Sequence, residues 1–190
     1  RGKYENYQTP ERSVPEEQLP IPWESCIPLS SDWGWIPDAK FKTPAEVIAL
    51  LIEVTAKGGN LLLGVGPTPD GIIQPEVEAI LSEVGSWLKN NGKGIYNTRI
   101  TENYNSNDVW FTADKDQKTI YALYIPSEET NYPSYIEWEG NNPVKGAKVT
   151  LLQNGKRVKW ETKNNKTRIT LPKIKNNANL PLVFSFATEK

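Results

Sequence analysis

The sequence contains no histidine, no methionine and one cysteine. Without histidine, the chain lacks the usual general base of serine and cysteine hydrolases and the commonest ligand of catalytic zinc. Any acid–base chemistry in this chain must therefore use carboxylates. The single cysteine, Cys26, cannot form an internal disulfide, so neither an oxidising nor a reducing compartment is indicated.

The chain also lacks an excess of charge of either sign and long apolar runs. It has 22 basic and 23 acidic residues, for a net charge of -1, so it creates no overall field that would attract nucleic acid or an anionic membrane. The longest apolar runs are far too short for a membrane span. No start methionine and no signal peptide precede Arg1, and the first residues resemble the middle of a loop. We therefore expect a fragment or a processed piece of a longer polypeptide.

Aromatic residues, in contrast, are plentiful. They make up 10% of the chain, with seven Trp and eight Tyr. Large aromatic side chains are usually buried, and we expect most of these in a core. Trp beside carboxylates and amides also suits sugar recognition, because a flat ring covers the apolar C–H face of a pyranose.

Helical periodicity begins at "TPAEVIALLIEVTAKGG", where Thr43 and Glu46 form a capping-box pattern and two glycines end the helix. The apolar run at 61–65 then predicts a short strand buried on both faces. A second amphipathic helix begins at Pro75. This order favours an α/β architecture with a parallel sheet, either doubly wound or a (β/α)8 barrel. Residues 1–97 contain too few further strand candidates to complete a sheet, which predicts the closing end of a larger α/β domain.

From residue 98 onward the segments are short, β-branched and aromatic, and turn residues separate them. One example is "KVTLLQNGKRVKWETKNNKTRITLP", in which Asn-Gly signals a hairpin. These features predict a small antiparallel β-sandwich. We therefore predict two domains, the end of the α/β domain at 1–97 and a β-sandwich at 98–190.

The first 43 residues show no helical or strand period, yet they are rich in aromatic residues, which disordered segments lack. In a (β/α)8 barrel, loops at the carboxyl ends of the strands carry the active site. A long aromatic and acidic loop upstream of the last helix and strand is placed where chemistry would occur. Two carboxyl groups are enough for glycoside hydrolysis, one as acid/base and one as nucleophile.

Three motifs in this order, "WESCIPLSSDWGW", "GGNLLLGVGPTPDG" and "VGSWLKNNGKGIYNTR", resemble the C-terminal part of the retaining α-L-fucosidases, glycoside hydrolase family 29. The resemblance covers about residues 1–100 by motif and the rest by architecture. It implies the last part of a (β/α)8-like catalytic barrel followed by a C-terminal antiparallel β-sandwich. It also implies hydrolysis of terminal α-L-fucose from glycans by double displacement, with no metal and no organic cofactor.

The resemblance places the Asp nucleophile and the pocket histidines of the family upstream of Arg1, so the chain alone is expected to be inactive. For the acid/base, Glu5 in "YENYQTPE" is the first choice and Glu11 the second. Either glutamate could instead simply face solvent or pair with Arg1 or Arg12, and Glu11 lies directly beside Arg12. Trp33 matches the position of an aromatic ring against the C6 methyl of fucose, with barrel-mouth packing as the alternative, whereas Trp23 and Trp35 are predicted to be core.

The implied partners are a fucosylated glycan and the upstream part of the catalytic domain, without nucleic acid or a membrane span. The resemblance alone suggests a secreted or periplasmic protein. An alternative function is a carbohydrate-binding sandwich that uses Trp110, Trp138 or Trp160 as a platform. A third is a purely structural sandwich that caps the barrel.

Overall fold

A computed structural model describes residues 6–127, 132–174 and 179–188 of the chain. The chain forms two compact units, Arg1–Ser86 and Trp87–Lys190. Each unit has its own secondary structure and is described by itself.

The first unit contains two parallel strands connected by a helix. Strand β1 (Glu24–Pro28) is followed by helix α1 (Pro44–Ala56) and strand β2 (Asn60–Gly64). The two strands pair in parallel, from Glu24 opposite Asn60 to Pro28 opposite Gly64. A second helix, α2 (Pro75–Asn91), follows and runs into a short 3₁₀ helix (Gly92–Gly94). The connection is the strand–helix–strand unit that builds α/β proteins.

Helix α1 begins as the sequence predicts. The Thr43 hydroxyl accepts a hydrogen bond from the Glu46 backbone N–H, and the Glu46 carboxylate accepts one from the Thr43 N–H, so both halves of the capping box are present. The helix buries Val47, Ile48 and Ile52. The predicted helix is confirmed.

Strand β1 lies inside the segment for which the sequence showed no period, so the expectation of a structureless opening was wrong in part. Its burial alternates over its first residues, with Ser25 and Ile27 buried. The prediction that the second strand is buried on both faces was also wrong for this chain. Leu62 is 45% exposed, and no described residue covers that face of β2.

Residues 8–12 run alongside β1 in parallel, on the edge opposite β2. Gln8 bridges Trp23 and Glu11 bridges Cys26. The backbone bonds include Cys26 N–H to Pro10 O at 2.9 Å and Arg12 N–H to Cys26 O at 2.8 Å. Part of the predicted loop is therefore held in register with the sheet.

The second unit contains two antiparallel sheets. Its nine strands, within the described residues, are β3 (Asn105–Ser106), β4 (Val109–Ala113), β5 (Thr119–Tyr124), β6 (Tyr135–Glu139), β7 (Thr150–Leu151), β8 (Lys156–Arg157), β9 (Lys159–Lys163), β10 (Lys166–Thr170) and β11 (Leu182–Ala187). The larger sheet has the order β3-β4-β5-β11-β7-β8, and the smaller has the order β6-β10-β9. Their facing side chains form one core, in which Trp138 packs edge-on against Phe111 and stacks with Phe186. This arrangement agrees with the predicted antiparallel sandwich.

The two compact units divide after Ser86, whereas the sequence places the domain boundary after residue 97. Trp87 is 5% exposed and donates its Nε1 hydrogen to Pro181 O at 2.7 Å. Thr112 donates its hydroxyl hydrogen to Gly94 O at 2.8 Å. These bonds tie the end of α2 and the 3₁₀ helix to the sandwich. The domain limits 1–97 and 98–190 stay a prediction.

Candidate functional site

The carboxyl ends of β1 and β2 lie next to each other, and the chain leaving each of them forms the candidate site. Leu29 N–H donates to Gly64 O at 2.8 Å, which extends the pairing past the end of β1. A Cβ on Gly66 would lie 2.6 Å from the carbonyl carbon of Gly34, so the two connections touch through their backbones. In α/β folds this edge of the sheet is where ligands bind.

Trp33 stands at this edge. An ideal Cβ on Gly64 would lie 2.8 Å from two atoms of its six-membered ring, so the ring rests directly on the last residue of β2. The backbone N–H of Trp33 donates to the Asp32 carboxylate at 2.7 Å. Its indole Nε1 donates to Oε1 of Glu11 at 2.8 Å. The position of the Trp33 ring is therefore restricted by the backbone bond to Asp32, by Gly64 against one face of the ring and by Glu11 at the indole N–H.

Glu11 reaches Trp33 from the segment parallel to β1. It bridges Cys26 within β1, and the next residue, Arg12, has a left-handed backbone with φ of 55°. The Glu11 side chain is exposed to solvent. An exposed carboxyl group beside an aromatic ring at the carboxyl edge of a parallel sheet can exchange a proton with a bound ligand.

Arg12 turns back toward the Trp33 loop. Its Nη2 lies 3.5 Å from Oδ1 of Asp32, its Nη1 donates to Ser31 O at 3.4 Å, and its guanidinium carbon lies 5.8 Å from the centre of the Trp33 ring. The ion pair that the described residues give Arg12 is thus with Asp32. This contact weakens the interpretation in which Glu11 serves only to pair with Arg12.

Of the predicted site residues, Glu11 and Trp33 are brought into direct contact. Glu5, the first choice for the acid/base, lies outside the described residues, as does Tyr4. Arg12 and Asp32 did not emerge from the sequence as members of the site. The signal for Asp32 was its place in "SSDW", where Ser30 and Asp32 bond each other across a tight turn.

The two tryptophans predicted to be core behave differently. Trp23 is 1% exposed and lies against Gly59, where a Cβ would come within 2.5 Å of its ring. Trp35 is 39% exposed, so its prediction as core was wrong. Trp35 follows Gly34 in the connection that extends beyond the sheet edge, and the described residues leave its side chain partly open.

Tyr7 lies on the segment that leads to Glu11. Desolvation raises the pKa of its hydroxyl above the ordinary value of 10.0, and the nearby Glu24 and Cys26 add to the effect. The ring is 45% exposed. Tyr7 therefore lies near β1, and the shift of its pKa comes from desolvation first and from these two neighbours second.

The tryptophans considered for a sugar platform in the sandwich are mostly occupied by packing. Trp138 is 1% exposed, which rules out its use as a platform. Trp160 packs against the core and donates its Nε1 hydrogen to Ala147 O at 3.0 Å. Trp110 is half-buried, with its ring centre 6.2 Å from that of Tyr104. Burial thus excludes Trp138 from the three candidate sugar platforms.

The described residues contain no group of three or more acidic or cysteine side chains able to hold a metal ion. Within the same residues, neither helix combines the length and the apolar character that crossing a bilayer requires.

Comparison with known proteins gives consistent matches over both units. Residues 1–93 match the family described as Alpha-L-fucosidase, and residues 102–187 match the Alpha-L-fucosidase C-terminal domain. Plasma alpha-L-fucosidase of Pongo abelii is 32% identical over 179 residues, which is 88% of this chain and 37% of that protein. This chain therefore spans little more than a third of that relative.

Solved structures agree with these matches. Alpha-L-fucosidase isoenzyme 1 from Paenibacillus thiaminolyticus superposes with a TM-score of 0.83 at 27% identity, covering 97% of this chain and 45% of that one. A Bacteroides thetaiotaomicron alpha-L-fucosidase of family GH29 superposes with a TM-score of 0.75 at 25% identity, covering 95% and 42%. That structure is a covalent intermediate trapped with 2-fluoro-fucosyl fluoride in a glutamate-to-glutamine mutant.

The predicted fold class, the last part of a (β/α)8-like barrel followed by a β-sandwich, is confirmed by these structures and by the two sheets of the second unit. The three sequence motifs, the two family matches and the superpositions all indicate the same relationship. The chain belongs to the α-L-fucosidase family, glycoside hydrolase family 29, and corresponds to the C-terminal portion of its members.

Proposed function

We propose that the polypeptide to which this chain belongs is a retaining exo-α-L-fucosidase, and that this chain supplies the acid/base carboxyl group. The contact between Trp33 Nε1 and Glu11 Oε1 carries the proposal. It joins a carboxyl group to an aromatic ring at the carboxyl edge of a parallel strand pair, where barrel enzymes hold their substrates. The trapped covalent intermediate of the Bacteroides relative supports a double-displacement route.

In the first step, Glu11 donates its proton to the glycosidic oxygen as the bond from that oxygen to fucose C1 breaks. The electron pair of this bond stays on the departing oxygen. A carboxylate nucleophile, which the resemblance places upstream of Arg1, forms the new bond to C1. The product of this step is a covalent fucosyl-enzyme and a free aglycone.

In the second step, the Glu11 carboxylate removes a proton from water, and the water oxygen attacks C1 and displaces the nucleophile. Fucose leaves with its original anomeric configuration, and both carboxyl groups return to their starting states. The two steps need no cofactor. We assign this role to Glu11, whose carboxylate accepts the Trp33 indole hydrogen bond, and Glu5, the first choice from the sequence, lies outside the described residues.

Trp33 is proposed to form the apolar wall for the C6 methyl of fucose. Its ring is half-buried and supported by Gly64, so one part of it stays available to a ligand. A hydroxyl at C6 would meet this apolar surface, and such discrimination is typically about 1–3 kcal/mol.

The sandwich is proposed to be structural, since burial of Trp138 removes one of its three candidate platforms.

Export of the whole protein to the periplasm or the exterior is a further proposal, and the plasma enzyme of Pongo abelii supports it. Cell fractionation with an antibody against the sandwich tests it, and confinement to the cytoplasm contradicts it.

The acid/base assignment is tested in the complete polypeptide with phenyl α-L-fucoside, whose leaving group depends on the acid. We expect Glu11→Gln to lower kcat/KM by about 10²–10⁴-fold, the usual contribution of a positioned proton donor. Glu16→Gln and Glu17→Gln, which alter exposed carboxylates of the same segment, serve as controls and are expected to leave kcat/KM unchanged.

Azide provides a second readout. It needs no base to attack C1, so it is expected to restore turnover in Glu11→Ala and to form α-L-fucosyl azide with retained configuration. If activity survives Glu11→Gln and is lost with Glu5→Gln, Glu5 is the acid/base and the fucosidase proposal stands. The 190-residue chain alone is expected to be inactive, and robust turnover by it contradicts an upstream nucleophile.

A further inference from the structure

Arg12 connects two segments that the sheet alone does not hold together. Its backbone N–H is bonded to Cys26 O at 2.8 Å, which anchors it beside β1. Its guanidinium reaches Ser31 O and the Asp32 carboxylate in the loop that follows β1. The left-handed φ of 55° is uncommon for a residue with a side chain. This conformation accompanies a guanidinium directed toward that loop.

Four residues close a ring through these contacts and through the backbone. Glu11 accepts from Trp33 Nε1, the Trp33 backbone donates to Asp32, Asp32 pairs with Arg12, and Arg12 is bonded to Glu11 through the chain. The Arg12 guanidinium also lies 5.8 Å from the centre of the Trp33 ring. The orientation of the indole is therefore determined by the same residues that flank the carboxyl group to which it donates.

These contacts are poorly suited to stabilising the fold. Both members of the Arg12–Asp32 pair are about half exposed, with side-chain exposures of 47% and 57%. Exposed ion pairs and exposed cation–π contacts add little to stability. Their effect is to restrict rotation, because a planar guanidinium has few orientations that satisfy a carboxylate and an aromatic ring together.

We propose that Arg12 and Asp32 are positioning residues for proton transfer by Glu11. They hold the Trp33 indole so that its N–H fixes the Glu11 carboxyl group toward the glycosidic oxygen. This inference rests on the proposed function. It assigns to Arg12 and Asp32 control of the step in which the departing oxygen receives its proton.

The test compares substrates that differ in their need for that proton. A 4-nitrophenyl leaving group departs readily without protonation, whereas a phenyl or methyl leaving group depends on the acid. The complete polypeptide is assayed as wild type, Arg12→Ala, Arg12→Lys and Asp32→Asn, with kcat/KM measured on each fucoside. Asp38→Asn, which changes another exposed aspartate of the same connection, is the control.

We expect Arg12→Ala and Asp32→Asn to lower kcat/KM by about tenfold or more on the methyl and phenyl fucosides, and by less than about threefold on the 4-nitrophenyl fucoside. The kcat/KM of Arg12→Lys on the methyl and phenyl fucosides is expected to lie between those of wild type and Arg12→Ala, since lysine keeps the charge and loses the planar contact. Asp38→Asn is expected to leave kcat/KM unchanged on all of these fucosides. A loss of equal size on all fucosides indicates a merely structural role and overturns the inference.

A double variant separates this inference from the function on which it rests. If Arg12 acts through Glu11, adding Arg12→Ala to Glu11→Gln causes no further loss of kcat/KM. Additive losses overturn the positioning role while leaving Glu11 as the acid. If Glu11→Gln itself shows no dependence on the leaving group, the acid/base assignment fails, and the positioning role fails with it.

Discussion

The indole Nε1 of Trp33 donates a hydrogen bond to Oε1 of Glu11 at 2.8 Å, across 22 positions of the sequence. The two residues come from different segments, one that runs beside β1 and one that follows it. A hydrogen bond from a neutral donor to a carboxylate restricts the carboxyl group to a few orientations. The contact thus joins a proposed proton donor and a proposed sugar wall in one unit.

Replacing Trp33 by Phe tests this unit, because Phe keeps an aromatic ring and removes the N–H donor. Hydrogen bonds to charged groups are worth about 1.5–3 kcal/mol, so kcat/KM for phenyl α-L-fucoside is expected to fall by about ten- to a hundredfold. Trp33→Ala also removes the ring, and its kcat/KM is expected to be lower still.

Trp35→Phe is the matched control, because Trp35 lies two residues away and is 39% exposed. It is expected to stay within about twofold of wild type, as surface substitutions usually do. Wild-type kcat/KM in Trp33→Phe would contradict a role for the N–H in holding Glu11.

Gly64 is required beneath the Trp33 ring, and substitution by Ala tests that requirement. The new Cβ would lie 2.8 Å from the ring, closer than side chains tolerate, so the indole must move away from β2. We expect kcat/KM to fall by at least about tenfold, since displacements of this size often cost a hundredfold in enzymes.

Gly34→Ala supplies the comparison, because a Cβ there meets no atom within 4 Å. Its kcat/KM is expected to remain close to wild type. Equal losses in the two variants would indicate that backbone freedom, and not the Trp33 contact, is what the connection needs.

How much of this could be predicted from the sequence varies between elements. Helix α1 was predictable because its cap, Thr43 with Glu46, is a local interaction between near neighbours. Strand β1 was missed because "ESCIP" has a proline and small polar residues where a strand pattern needs apolar ones. Its pairing with β2 depends on residues about 36 positions further along the chain, as the Glu24–Asn60 register shows, and a local pattern cannot encode that pairing.

The candidate site was predictable in its residue types and not in its contacts. The resemblance assigned Glu5 or Glu11 and Trp33 to the same sugar site, each in its own role. Pairing of Glu11 with Arg12 was the alternative to a catalytic role, whereas the structure pairs Arg12 with Asp32. Arg12 also has a left-handed backbone, and arginine, unlike asparagine or glycine, carries no sequence signal for that conformation.

The Glu46 carboxyl group makes stability depend on pH. Hydrogen bonds from the Thr43 backbone N–H and the Thr43 hydroxyl lower its pKa below the ordinary value of 4.5, burial opposes them, and Lys42 adds to the lowering. A folded-state pKa below the unfolded one gives stability that is present above the unfolded pKa and is lost as pH falls through the folded pKa.

We therefore expect Glu46→Gln to be less stable than wild type at neutral pH, by under about 1 kcal/mol because the carboxylate is exposed. The difference should shrink as pH falls below the ordinary value of 4.5. Urea unfolding of the complete polypeptide between neutral and acidic pH measures it, with Glu83→Gln on the exposed face of α2 as control. A difference that grows toward acid would contradict the capping role.

Lys57 holds the segment that follows Glu11, although lysine is rarely buried. Its side chain is 7% exposed, its Nζ lies 2.7 Å from Oε1 of Glu53, and it donates to Pro15 O at 2.8 Å. Gln18 Nε2 donates to Ala56 O at 3.1 Å from the same segment. The end of α1 thus anchors the chain between Glu11 and β1.

Lys57→Met keeps the apolar stem and removes the charge, so Pro15 O loses its donor and Glu53 its cation. Because Glu53 is one-third exposed and can rehydrate, we expect a loss of about 1–3 kcal/mol, less than for breaking a fully buried pair. Hydrogen exchange of residues 13–18 in the complete polypeptide is expected to quicken in parallel. Glu53→Gln leaves the bond from Lys57 to Pro15 in place, so hydrogen exchange of residues 13–18 in this variant should stay closer to wild type. Equal acceleration in the two variants would mean that the ion pair, and not the bond to the loop, holds the segment.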